Sequence, residues 1–218
     1  TFAATIDKVE RAGNGVTNFY GTLDGIKFGT VVLTLSRAPH AGPLRANGKA
    51  YRIHMTPQGG YEVQEADPSK IGHDGPDSPR PQMAPGARPK SLAVVPQADG
   101  AGTIDLLVVY TPAVTAQAGS DAAVQAEIAN AVAATNLAYA NSNVTQRLRL
   151  VHAEQVTYTE SGDLGTDLDR VSNVSGGMAT GPDGFMDNVQ ALRDTWGADE
   201  VSLWVTGPGF CVVGIGWL

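Results

Sequence analysis

Cysteine is almost missing from this chain: Cys211 is the only one among 218 residues. No disulfide can close within the sequence, so the lone thiol reads either as a buried free cysteine or as half of a bridge to a partner elsewhere. Long apolar runs are also missing. No stretch approaches the roughly 20 apolar residues that a membrane span needs, and Thr1-Phe2-Ala3-Ala4-Thr5-Ile6-Asp7 has neither the charged nor the apolar region of a secretion signal. The expectation is a soluble chain with no membrane partner. Positive charge is scarce, with 15 Lys and Arg against 22 Asp and Glu for a net charge of −7, which argues against a nucleic-acid partner. The scarcity is uneven. Residues 1–102 hold 11 cations and 9 anions, whereas residues 103–218 hold 4 and 13, with no lysine at all.

Local signatures of catalysis are missing too. None of His40, His54, His73 and His152 stands four residues from another or heads a His-Glu pair, so no zinc site is legible locally. His54 in an alternating segment and His152 at a strand end read as structural or solvated histidines, and His73-Asp74 as a solvated turn that could also reach a distant metal. There is no Gly-x-Ser-x-Gly elbow, and Cys211 has no cationic neighbour in sequence to lower its pKa. Asp163, Asp167 and Asp169 miss the spacing of a calcium loop, and Asp163 reads instead as a helix cap.

What the chain does contain is two kinds of folding grammar. The length and a 42% hydrophobic content allow one large domain or two small ones. Residues 1–67 read as a small antiparallel β domain: residues 26–35 are rich in β-branched residues, Tyr51-Arg52-Ile53-His54-Met55 alternates, and Gln58-Gly59-Gly60 turns it into Tyr61-Glu62-Val63-Gln64-Glu65. Asn14-Gly15 and Asn47-Gly48 are tight-turn signals. Residues 68–102 hold seven of the thirteen prolines and read as a linker open to proteolysis.

From residue 103 the pattern is mixed α/β. Residues 103–110 form a nearly continuous apolar run ended by Thr111-Pro112, as a strand covered on both faces would be. Ser120 and Asp121 predict a helix start, with Val124, Ile128, Ala131, Val132, Thr135 and Tyr139 on one face and Asn141-Ser142-Asn143 as the stop. Residues 147–151 predict a half-exposed strand. Residues 183–196 predict a helix with Phe185, Val189, Leu192 and Trp196 on its apolar face and Gly197 as its stop; residues 201–205 and 212–218 predict two more strands. The sequence ends inside an apolar run, and the expectation is that the protein continues beyond it.

Together, Ile104-Asp105-Leu106-Leu107-Val108-Val109-Tyr110-Thr111-Pro112, the helix through Thr135-Asn136-Leu137-Ala138-Tyr139-Ala140-Asn141-Ser142, Gly162-Asp163-Leu164-Gly165, Leu192-Arg193-Asp194, Gly197-Ala198-Asp199 and Gly214-Ile215-Gly216-Trp217-Leu218 resemble the reprolysin-like metzincin zinc peptidases, and more narrowly the peptidyl-Asp metalloendopeptidase family. The resemblance covers residues 103–218. It implies an α+β and α/β chain, a small antiparallel β propeptide-like domain followed by the N-terminal half of a metzincin-type mixed α/β catalytic domain.

The family's H-E-x-x-H-x-x-G-x-x-H motif is absent, so no catalytic residue and no metal ligand carry over onto this chain, which should be inactive alone and bind no cofactor by itself. For the complete protein the resemblance implies zinc, peptide or protein substrates, secretion, and cleavage on the amino side of aspartate. It also implies a missing C-terminal part of the catalytic domain as partner, and with it a bridge for Cys211. Val213, Gly214, Ile215, Gly216 and Trp217 would bind substrate by strand addition. Ala98 and Asp99 would form a self-processing site, and His73, Asp74 or Asp77 would occupy the zinc in the zymogen. The alternative is a non-catalytic inhibitor or peptide-binding protein that keeps the peptidase scaffold.

Overall fold

The computed structural model describes residues 2–11, 15–35, 42–55, 61–67, 102–175, 178–179 and 181–206. The chain divides into two compact units, one of Thr1–Pro68 with Ala118–Leu148 and one of Ser69–Gln117 with Arg149–Leu218.

The first unit is a six-stranded antiparallel meander in sequential order: β1 (Ala4–Arg11), β2 (Thr17–Leu23), β3 (Thr30–Leu35), β4 (Pro43–Ala46), β5 (Lys49–Met55) and β6 (Tyr61–Glu65). The expected turn at Asn47-Gly48 closes β4 onto β5. Both residues have positive φ, 53° and 75°, and Ala46 pairs with Lys49 across the two-residue loop. The strand expected over residues 26–35 starts only at Thr30. Residues 24–29 form a turn in which Leu23 N–H donates to Gly29 O at 3.0 Å, and Phe28 adopts a φ of 60° with 86% of its surface exposed. Asp24-Gly25, with Gly25 at a φ of 72°, supplies the reversal that the β-branched residues masked in the sequence pattern.

Leu23, Val31, Leu44 and Ala46 are buried together, with Ile26, Leu33, Tyr51 and Ile53 packed around them. On the alternate positions Tyr20 and Val32 meet Ala133 and Leu137 of helix α2 (Asp121–Asn141). The shorter helix α1 (Pro112–Ala118) precedes it, with Pro112 at its first position, where a missing N–H costs nothing. Helix α2 starts as its sequence predicts: the Ser120 side chain accepts from Ala123 N–H at 3.2 Å. Its expected single apolar face is corrected. Ala131 is exposed, while Ala123, Val124, Ala126, Ile128, Ala129, Asn130 and Ala133 are buried. Small alanines bury on more than one side of a helix, which erases the stripe a pattern search looks for.

The second unit centres on β7 (Thr103–Tyr110), the middle strand of a three-stranded sheet between β11 (Glu200–Trp204), with which it is parallel, and β8 (Arg147–Gln155). Leu107, Val108, Val109 and Tyr110 are at most 1% exposed, as expected of a strand covered on both faces. Helix α3 (Leu164–Ser172), a two-stranded ribbon of β9 (Val174–Ser175) and β10 (Met178–Ala179), and helix α4 (Asn188–Trp196) complete the unit. Val156, Tyr158, Val171, Met186, Val189 and Ala198 join Leu107 and Val109 in its core.

Helix α4 is shorter than the sequence predicts, and Phe185 lies outside it. The Asp187 carboxylate accepts from Asp183 and Gly184 N–H, both at 3.0 Å, and the Asp183 carboxylate accepts from Phe185 N–H at 2.9 Å. These side chains satisfy the backbone locally and displace the first helical turn. Gly197, at a φ of 61°, ends the helix as expected.

Candidate functional site

The substrate-binding candidates Val213, Gly214, Ile215, Gly216 and Trp217, the processing pair Ala98 and Asp99, the latch candidates His73, Asp74 and Asp77, and Cys211 all lie outside the described residues. The strand expected over residues 212–218 lies outside them too. The described part of the second unit shows what leads up to that segment.

The carboxyl ends of β7 and β11 are tied together by one side chain. Glu160 Oε1 accepts from Thr111 Oγ1 at 2.5 Å and from Thr206 N–H at 2.9 Å, while its Oε2 accepts from the Thr206 hydroxyl. Thr111 N–H donates to Trp204 O at 3.2 Å, and Val156 N–H to Tyr110 O at 2.9 Å. Glu160 therefore fixes where the chain leaves β11, at the sheet end where ligands of parallel α/β sheets collect. Nothing in the sequence pattern pointed to it, because its three partners come from two distant strand ends.

Beside it, Tyr158 donates its hydroxyl to Asp167 and receives Arg170 Nη1 at 3.0 Å. Asp167, 3% exposed, also accepts from Ser161 N–H at 3.0 Å, and the Arg170 guanidinium lies 3.9 Å from the Phe185 ring centre. Burial, and then the bond to Asp167, push the Tyr158 phenol up, so it acts as a neutral donor. Asp163 caps α3 as its sequence predicts, accepting from Thr166 N–H at 2.7 Å, and these Thr166 bonds hold its carboxyl below the usual range.

A second missed residue is Asp105, 3% exposed in the middle of the apolar β7. Arg149 grips it through two nitrogens, one at 2.6 Å, and Asp199 accepts from Asp105 N–H at 2.8 Å. The signal was available: a carboxylate inside a buried apolar run calls for a cation, and residues 103–218 offer only four.

His152 bears out its structural reading. Its ring stacks on Trp196 at 4.2 Å and 8°, and Nε2 lies 2.9 Å from Glu154 Oε2. Trp196, expected on a buried face, is 43% exposed and covers this ring instead. Among the described residues no group of three His, Cys, Asp or Glu side chains is placed to hold a metal ion.

Residues 101–218 match the model of the reprolysin-like metallopeptidase family M12B. Three curated relatives are each named peptidyl-Asp metalloendopeptidase. The protein from Stenotrophomonas maltophilia is 34% identical over 185 residues, 84% of this chain and 42% of that protein. The one from Xanthomonas campestris is 30% identical over 97% of this chain and 52% of its own length, and the one from Pseudomonas aeruginosa is 36% identical over 59% and 20%. The chain thus spans about half or less of the relatives it matches. A solved structure described as a chaperone-substrate complex matches over 80% of this chain and 24% of its own, at 21% identity and a TM-score of 0.41.

Proposed function

The chain belongs to the reprolysin-like metallopeptidases of family M12B, and on that premise we propose that it is the propeptide and N-terminal catalytic part of a secreted zinc metalloendopeptidase cutting on the amino side of aspartate. The observation that carries the reading is the family match over residues 101–218, which begins as β7 begins and takes in every element of the second unit. In this reading residues 1–67 are the propeptide, 68–102 the linker cut at Ala98-Asp99, and 103–218 the start of the catalytic domain.

Zinc, held by residues of the complete protein beyond these 218, would supply an activated water for attack on the scissile carbonyl. The chain's own residues do the positioning. Glu160 holds Thr206, and through it the start of the segment that carries Val213, Gly214, Ile215, Gly216 and Trp217; their backbone would pair with an extended peptide, and the two glycines permit close approach.

The test is expression of the complete coding sequence with zinc and peptides that differ only in Asp, Asn or Ala after the scissile bond. Cleavage before Asp, lost on chelation and restored by zinc, is expected. Absence of zinc-dependent hydrolysis would overturn the assignment. A mature N-terminus other than Asp99 would remove the processing site alone, and unchanged latency in a His73, Asp74 and Asp77 triple alanine variant would remove the latch.

A further inference from the structure

We propose that one face of α2 is a binding surface for the N-terminal sheet as a separate piece, so that a cut anywhere in residues 69–101 leaves the sheet attached. Sheet and helix belong to one compact unit although about fifty residues separate them in sequence. The helix is part of the region that matches the peptidase family, whereas the sheet precedes it.

The contacts form a graded interface. At its centre Ala133 and Leu137 of the helix meet Tyr20 and Val32, which stand on the sheet positions that alternate with the Leu23 and Val31 core. Next to them runs a buried polar chain: Asn130 Nδ2 donates to Thr34 Oγ1 at 2.6 Å, and Thr34 in turn donates to Asn18 Oδ1 at 2.8 Å. Thr34 is 0% exposed, and Asn18 and Asn130 are 5% and 8%. At the rim Arg52 pairs with Glu127. A desolvated centre with a satisfied polar chain and a charged rim is the anatomy of a specific protein interface.

The fit is close at one further point. A Cβ at Gly42 would collide with Asn130 Nδ2 and with Val32 O, so only glycine lets this strand lead-in pass beneath the helix. Pulling helix from sheet would break the Asn130–Thr34 hydrogen bond and return Tyr20, Val32, Ala133 and Leu137 to water, giving up the apolar burial that holds the two together. Release of the sheet therefore requires dissociation as well as cleavage, and a propeptide so held would stay on its domain after processing.

The inference rests on these contacts and not on the proposed activity, and its assay reads neither zinc nor hydrolysis. The full chain is given a site for a sequence-specific protease within residues 80–95, folded, cut, and passed over a sizing column under native conditions. Co-elution of the two pieces at low micromolar concentration is expected; separation or aggregation on cutting would overturn the proposal. Arg52→Glu and Glu127→Arg, each alone, are expected to weaken retention about three- to tenfold, and the two together to restore it to within about twofold. Asn130→Ala is expected to weaken it about tenfold or more. Retention that none of these changes alters would mean that this face is not the seat of the attachment, and would equally overturn it.

Discussion

The tripeptide Thr-Ile-Asp occurs twice, as Thr5-Ile6-Asp7 in β1 and as Thr103-Ile104-Asp105 in β7, and the two aspartates meet opposite fates. Asp7 stands in solvent, at the point where the register of β1 against β2 slips between Ile6 and Lys8. Asp105 is buried and gripped by Arg149. The difference lies in the residues on the C-terminal side of each tripeptide. Lys8-Val9-Glu10-Arg11 alternates charge with one valine and makes an edge strand whose eight residues are all exposed, bulged as protected edges are. Leu106-Leu107-Val108-Val109-Tyr110 has no polar position and is pulled between two neighbours. The three shared residues decide nothing; their C-terminal neighbours decide whether an aspartate needs a partner.

The largest effects should therefore separate the two strands. Leu107→Ala is expected to cost about 4 kcal/mol, since the site is fully buried and cannot collapse easily, whereas Val9→Ala, 54% exposed, should stay within about 0.5 kcal/mol. Urea unfolding measures both, and similar losses would erase the comparison. Next comes the pair itself. Arg149→Ala leaves the Asp105 carboxylate buried with its cation gone and is expected to cost about 3 kcal/mol, against about 0.5 kcal/mol or less for Asp7→Ala. If Arg149→Ala proved as mild as Asp7→Ala, Asp105 would have to be hydrated in solution.

A smaller effect should appear in β1 alone. A Cβ at Gly21 would stand 2.6 Å from Thr5 O, so Gly21→Ala must push the edge strand outward. The expected cost is about 1–2 kcal/mol. Amide exchange should quicken along β1 and stay unchanged along β7. Quickening in both strands would show that the two units share one opening event.

Much of the fold was legible because period and punctuation agreed. Ser120 and Gly197 mark real helix ends, Asn47-Gly48 a real hairpin, and residues 103–110 a real buried strand. The failures share a cause. Residues 24–29 and 183–187 are apolar enough to pass for regular structure, yet side chains or glycines there satisfy the backbone locally. The site was less legible still. Glu160 joins strand ends that lie about 45 to 50 residues from it, and sequence spacing carries no trace of that.

The last and weakest contrast is electrostatic. β1 owes part of its attachment to groups that titrate: Tyr20 donates its hydroxyl to Glu10 at 2.7 Å, and Lys8 lies 5.1 Å over the Tyr20 ring. That bond, followed by Lys8, holds the Glu10 carboxyl below its ordinary 4.5, against the opposing pull of burial. Burial, followed by Glu10, raises the Tyr20 phenol well above its ordinary 10.0. Below pH 4.5 the unfolded glutamate takes up its proton first, so acid favours unfolding, and the Glu10 contribution disappears as pH falls through its depressed value. Above pH 10.0 the unfolded tyrosine loses its proton first, so alkali favours unfolding as well. The pair thus stabilises β1 between those limits, and modestly, because solvent screens Glu10. Tyr20→Phe should lower the urea midpoint most near neutrality, with the gap to the parent chain narrowing at about pH 3 and about pH 11. A gap that stays constant across that range would assign the role of Tyr20 to packing alone and leave the Glu10 bond with no measurable part in holding β1.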